Sequence, residues 1–200
     1  KREETLQNVY DYAKQVGDQP FLIPLGASTP TGALGYVEAI EELKQQGNDF
    51  QWIVVASSSA GTQAGMVLGA SLTGFSGKIL GISIDHTVYE LQEFVAAIAN
   101  GTAGILKEKI RFKSNEILVN ADYLGAGYAI AGDAEYEAIR LFAENEGLLL
   151  DPVYTSRAAA GMIDLIRKGF FKASEKVLFW HTGGASALFA SPYAEEIAER

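Results

Sequence analysis

The sequence predicts an α/β protein built as a three-layer, doubly wound, mostly parallel sheet, and three observations predict it. Short apolar runs such as Trp52-Ile53-Val54-Val55-Ala56 alternate with stretches of helical periodicity, the pattern of parallel strands joined by crossover helices. Polar or glycine-rich loops follow the runs: Gly26-Ala27-Ser28, then Ser57 to Thr62, then His181-Thr182-Gly183-Gly184. Doubly wound sheets bind ligands beyond the carboxyl ends of their strands, so these three loops are placed to share one pocket. Finally, 200 residues with 48% hydrophobic content suffice for one sizeable core, and the chain reads as a single α/β unit from 1 to 200.

In chain order, Lys1-Arg2-Glu3-Glu4 is a charged helix opening, and a helix is expected over 3–16. The apolar stretch around Phe21 gives a strand over 20–25, and helical periodicity resumes over 32–46. Five apolar residues from Trp52 to Ala56 read as a buried strand over 52–57, and the helix formers around Met66 give a helix over 62–72. A strand over 78–84, a helix over 87–100 and a short strand over 115–119 follow, with Asn100-Gly101-Thr102-Ala103-Gly104 read as a flexible turn. The remainder gives helices over 133–147 and 156–168, a strand over 176–180 and a helix over 185–190. No internal repeat, low-complexity tract or linker interrupts the series.

Composition narrows the function classes. The chain has no cysteine, so disulfide frameworks and zinc–thiolate sites are excluded, and nothing argues for secretion; the cytoplasm is the default. A net charge of −9 without a basic block argues against nucleic acid and anionic membrane surfaces, both of which need clustered Lys and Arg. No apolar run reaches the length of a membrane span. A small-molecule partner is the better expectation.

Ser57-Ser58-Ser59-Ala60-Gly61-Thr62 is the most informative loop, because it joins a buried strand to a helix start. The first turn of a helix leaves backbone N–H groups unpaired and carries the positive end of the helix dipole. Small residues let a phosphate approach, and hydroxyls add donors. The same residues also suit a Ser-rich turn ending in an N-cap, and both readings stand on these residues alone.

Five motifs in register carry a resemblance. Ile23-Pro24-Leu25-Gly26-Ala27-Ser28, Gly32-Ala33-Leu34-Gly35-Tyr36, Ser59-Ala60-Gly61-Thr62-Gln63-Ala64-Gly65, Leu150-Asp151-Pro152-Val153-Tyr154-Thr155 and His181-Thr182-Gly183-Gly184 are ordered as in the D-cysteine desulfhydrase and 1-aminocyclopropane-1-carboxylate deaminase family. The similarity runs from about Phe21 to Ala190. These are pyridoxal 5'-phosphate enzymes of fold type II, so the resemblance implies the large-domain part of a tryptophan synthase β-subunit-like fold, pyridoxal phosphate as cofactor, a small amino acid as substrate, and a homodimer as the common assembly. Family members also carry a Gly-Gly-Asn-Lys segment, whose lysine forms the Schiff base, and a Ser-Asn-His segment. Neither occurs here, and none of the ten lysines has the expected neighbours. The chain is therefore expected to correspond to the C-terminal portion of such an enzyme and, by itself, to lack elimination activity.

Carried over by position, the resemblance implies a phosphate cradle of Ser58, Ser59, Ala60, Gly61 and Thr62, with Thr182 and Thr155 facing the pyridine nitrogen. Thr182 also suits a plain cap of the strand end, and His181 is read as structural. Tyr154 and Tyr128 match two active-site tyrosines, which can hydrogen-bond the substrate or relay a proton if the phenol pKa falls from about 10. Nine tyrosines are present, so packing is the plain alternative for both. The deaminase branch has Glu where Thr155 stands and usually Leu where Thr182 stands. A hydroxyl, unlike a carboxylate, does not hold the ring nitrogen protonated, and the weaker electron sink suits β-elimination.

The expected reaction is thus carbon–sulfur lyase chemistry giving pyruvate and ammonia, as in D-cysteine desulfhydrase. The family's Gly-Lys after Val-Tyr-Thr is Ser156-Arg157 here, which leaves the leaving group open between thiol and the sulfite of L-cysteate. The deaminase is the alternative within the family. A non-catalytic sugar-phosphate-binding module is the alternative of another class, against which the motifs at Asp151 to Thr155 and His181 to Gly184 argue.

Overall fold

A computed structural model describes residues 2–47 and 49–200; Lys1, part of the expected helix opening, lies outside the described residues. The elements are α1 (Arg2–Gln15), α2 (Leu34–Gln45), β1 (Trp52–Ser57), α3 (Gly61–Thr73), β2 (Lys78–Ser83), α4 (Val88–Ile105), β3 (Leu118–Asn120), α5 (Asp133–Glu146), α6 (Thr155–Arg167), β4 (Val177–Trp180) and α7 (Tyr193–Ala198). The four strands form one parallel sheet in the order β3-β2-β1-β4. Trp52 lies opposite Lys78 on one side and Val177 on the other, and Leu80 lies opposite Leu118.

Alternation along the strands builds the three layers. Trp52, Val54, Leu80 and Ile82 point to one face and pack on Ala158, Met162 and Leu165 of α6, with Phe171 closing the cluster. Ile53, Val55 and Ile79 point to the other face and pack on Ile40 and Leu43 of α2 and Met66 of α3. Helix α5 lies against α6 through Tyr136, Ala138 and Ile139. Because both faces of β1 are covered, its apolar run is continuous rather than alternating, as expected for a central parallel strand. Helices α2 and α3 approach closely at Gly65, where an added Cβ would stand 2.7 Å from the Tyr36 Cβ.

Three expectations are corrected. The segment over 20–25 is not a strand: it runs extended into a 3-10 turn at Leu25–Ala27 and pairs with no strand of the sheet. Pro20 and Pro24 lack the N–H that a ladder needs, and Phe21 is 88% exposed and Ile23 62% exposed. The turn expected over 100–104 is the last part of α4. Tertiary bonds hold it helical: the Asn100 side chain donates to the Phe112 carbonyl and accepts from its N–H, and the Thr102 hydroxyl donates to the carbonyls of Pro30 and Ile98. The helix expected over 185–190 is a 3-10 turn, Ala185–Phe189, entered through Gly183 and Gly184 at positive φ, and α7 follows it unforeseen. None of the described helices is long and apolar enough to cross a membrane.

Candidate active site

β1 ends on Ser57 and the chain turns back into α3 through Ala60, which sits in the left-handed region at φ 71°. The turn is locked to the Gly26-Ala27-Ser28 loop. The Ser28 hydroxyl lies 2.7 Å from the Ser59 hydroxyl, and the Gly61 N–H donates to the Ser28 oxygen at 3.3 Å. A Cβ on Gly61 would fall 2.7 Å from that oxygen, so glycine is what allows the two loops to meet. On the other side, Ser58 donates to Asp85 at 3.0 Å.

Ala56, Ser57, Ser58, Ser59, Ala60 and Thr62 line a cavity of about 130 Å³, and Tyr154 and Thr182 complete its wall. The start of α3, the residue before α6 and the loop after β4 thus converge at the carboxyl end of the sheet. No lysine and no carboxylate is among the lining residues. Of the expected cradle, Ser58, Ser59, Ala60 and Thr62 line the cavity directly, while Gly61 faces Ser28.

Ser57 was missed by the sequence reading, which began the cradle at Ser58. Its side chain is 3% exposed, lines the cavity and has no hydrogen-bond partner, which is costly for a buried hydroxyl unless a ligand supplies one. The signal was the strand period, which places Ser57 on the α3 face with Val55.

Tyr128 stands before α5, outside the cavity lining, and its hydroxyl is hydrogen-bonded to that of Tyr154. The two rings meet edge to face at 6.0 Å. Burial, then the bond to Tyr128, push the Tyr154 phenol well above its ordinary range. The lowered pKa required for a proton relay is therefore not what this geometry provides; Tyr154 is held protonated, as a neutral hydrogen-bonding group.

Thr155 does not line the cavity. Its side chain is fully buried, its hydroxyl donates to Asp151 Oδ1 at 2.7 Å, and the Thr155 hydroxyl oxygen accepts from the Asp151 N–H at 2.8 Å. Asp151 also accepts from the N–H groups of Val153, Tyr154 and Thr155, so one carboxylate closes the turn that starts α6. The residue expected beside the ring nitrogen is held at the helix start instead, because Asp151 precedes it by four residues and claims its hydroxyl. Of the two threonines, Thr182 alone reaches the cavity.

Larger cavities lie elsewhere. One of about 620 Å³ opens between α5 and α7, and one of about 940 Å³ lies beside α1 and Leu22 to Leu25. Neither is lined by a loop residue of the convergent site, so chemistry rather than volume locates the candidate. At about 130 Å³ the convergent cavity suits a phosphate and its immediate attachment, less than the several hundred Å³ that enclose a whole small ligand.

Comparisons with known proteins show the family. A family described as "Pyridoxal-phosphate dependent enzyme" matches residues 1–183. A crystal structure described as an ACC deaminase homologue is 33% identical, with a TM-score of 0.86 over 96% of this chain and 57% of that one. A fungal L-serine ammonia-lyase from Rhizomucor miehei is 16% identical with a TM-score of 0.53, over 84% of this chain and 56% of that one. Threonine deaminase isoform 2 from Solanum lycopersicum is 13% identical with a TM-score of 0.57, over 95% and 55%. The last two show likeness of fold alone. The chain belongs to the pyridoxal-phosphate dependent enzyme family and spans a little over half the length of the solved relatives it matches.

The site fits the phosphate end of that cofactor. It offers the start of a 13-residue helix, the unpartnered Ser57 hydroxyl and the Thr62 side chain around one small cavity. It offers no amine, so borohydride reduction of this chain with pyridoxal phosphate is expected to leave no single lysine stoichiometrically labelled in a peptide map.

Proposed function

We propose that this chain serves pyridoxal-phosphate-dependent β-elimination from a small sulfur-containing amino acid, D-cysteine desulfhydrase-like, releasing pyruvate and ammonia. The observation that carries the reading is the meeting of the 57–62 loop with Tyr154 and Thr182 around one cavity whose lining holds hydroxyls and no carboxylate. The bound cofactor supplies an electron sink for negative charge at the substrate Cα.

The chain's own residues do the rest. Backbone N–H groups at the start of α3, with Ser57 and Thr62, would hold the phosphate by charge-assisted hydrogen bonds. Thr182, on the cavity wall, would supply a hydroxyl to the ring of the cofactor. A hydroxyl rather than a carboxylate beside the ring nitrogen would not hold it protonated, and a substrate that expels its own β leaving group would then be favoured over ring opening. Tyr154, kept protonated by burial and by its bond to Tyr128, would orient the substrate through its hydroxyl oxygen, which is left to accept a hydrogen bond. The Schiff-base lysine would come from sequence other than these 200 residues.

In the lysine-bearing holoenzyme, D-cysteine is expected to yield sulfide and pyruvate. Faster production of 2-oxobutanoate from 1-aminocyclopropane-1-carboxylate would overturn the choice of lyase over deaminase, and sulfite release from L-cysteate would move the leaving group but not the reaction. The cradle is tested separately. Thr62→Val keeps the shape and removes one donor to a charged group, so inorganic phosphate affinity by calorimetry is expected to fall by about 1.5–3 kcal/mol; unchanged affinity would reject the cradle.

A further inference from the structure

The mechanism leaves one large buried charge unused. Arg157 is 1% exposed, yet it extends from α6 to four acceptors: Glu135 Oε1 at 2.8 Å, the Ile84 carbonyl at 3.1 Å, the Gly127 carbonyl at 3.0 Å and the Ile130 carbonyl at 2.8 Å. Two of these carbonyls flank Tyr128. Glu135, on α5, accepts in turn from the Gly132 N–H at 3.0 Å, so both ends of the 127–132 segment are fastened to the same ion pair.

We propose that Arg157 is the positioning residue that sets Tyr128 against Tyr154, through the guanidinium bonds to the carbonyls of Gly127 and Ile130. The proposal rests on the reading that this tyrosine pair faces the substrate. A planar guanidinium can serve Glu135 with its Nε and the flanking carbonyls with its two outer nitrogens at once; a lysine ammonium is a point donor that can satisfy the carboxylate but not the whole fork. Tyr128 is half exposed and its segment, 121–132, contains no helix or strand. The Tyr193 hydroxyl donates to the Ala129 carbonyl at 2.6 Å, a further tether directly after Tyr128, whereas Arg157 holds the carbonyls of Gly127 and Ile130 on both sides of the Tyr128–Ala129 pair.

The test uses Arg157→Lys in protein labelled with carbon-13 at the tyrosine Cζ, without cofactor or substrate. Resonances are assigned by Tyr128→Phe and Tyr154→Phe. In the parent, Tyr154 stays protonated far above the ordinary tyrosine range. In the lysine variant the Tyr128 bond is lost, and the Tyr154 midpoint is expected to fall by about one pH unit, because hydrogen bonding to the neutral form had raised it. A folded variant with a lowered melting temperature but unmoved Tyr128 and Tyr154 signals would overturn the proposal and leave Arg157 a purely structural residue.

If the lysine variant does not fold, the pair is removed as a unit in Glu135→Leu with Arg157→Met, since replacing a buried ion pair by apolar residues is often tolerated. The same tyrosine change is then expected, and failure of both variants to fold would also overturn positioning in favour of stability. The readout is independent of turnover, so a wrong lyase assignment would leave it standing and a wrong positioning role would leave the lyase assignment untouched.

Discussion

Asp151→Asn is expected to destabilise the chain by about 3 kcal/mol, although it alters only one atom of the side chain. Both oxygens of Asp151 accept twice: Oδ1 from the Thr155 N–H and hydroxyl, Oδ2 from the N–H groups of Val153 and Tyr154. An asparagine must present its NH₂ to one of these donor pairs, so two N–H groups, or one N–H and a hydroxyl, lose their acceptor. Each hydrogen bond to a charged group is worth about 1.5–3 kcal/mol, and orphaned buried donors add their desolvation cost. Urea denaturation measures the loss, and a midpoint equal to the parent's would show that the carboxylate does not organise the start of α6. Thr155→Glu is expected to be worse, since it brings a second carboxylate into the same buried turn.

Glu135→Leu carries the other large effect. Arg157 is 1% exposed and would keep its charge with carbonyl oxygens as its only partners. Removing one member of a buried ion pair costs about 3–5 kcal/mol, most of it the uncompensated charge left behind. For a domain of this size each kcal/mol lowers the melting temperature by about 2–4 °C, so a fall of roughly 6–20 °C is expected by calorimetry. A fall of under about 2 °C would mean that water reaches the guanidinium.

These two clusters also show where sequence reading stops. The strand at 52–57, the helix start after it and the loops at 26–28 and 181–184 were legible, because continuous apolar runs and small polar residues leave a one-dimensional trace. The convergence of the loops at 57–62 and 181–184 was legible too, since parallel strands carry their loops to one edge, whereas the loop at 26–28 follows no strand and joins them through Ser28. Orientation was not. Thr155 and Thr182 look alike in the sequence, yet Asp151 captures one and the other reaches the cavity. Arg157 reads as a helix-surface cation by type, and only the fold reveals four acceptors from three separate stretches of chain. The segment at 20–25 misled for the opposite reason: its apolar residues resemble a strand, but two prolines and exposed Phe21 and Ile23 leave it without a ladder.

Ser28 gives the cradle a mechanical reach beyond its own walls. Its hydroxyl is joined to Ser59 and to the Gly61 N–H, while its backbone ends the exposed stretch that runs back through Leu25 to Phe21. One serine oxygen thus ties the turn at 58–62 to the last residue of an exposed apolar strip, and the two stretches of chain are held at a single point. A single hydroxyl is therefore a joint in the frame of the cradle as well as part of its surroundings.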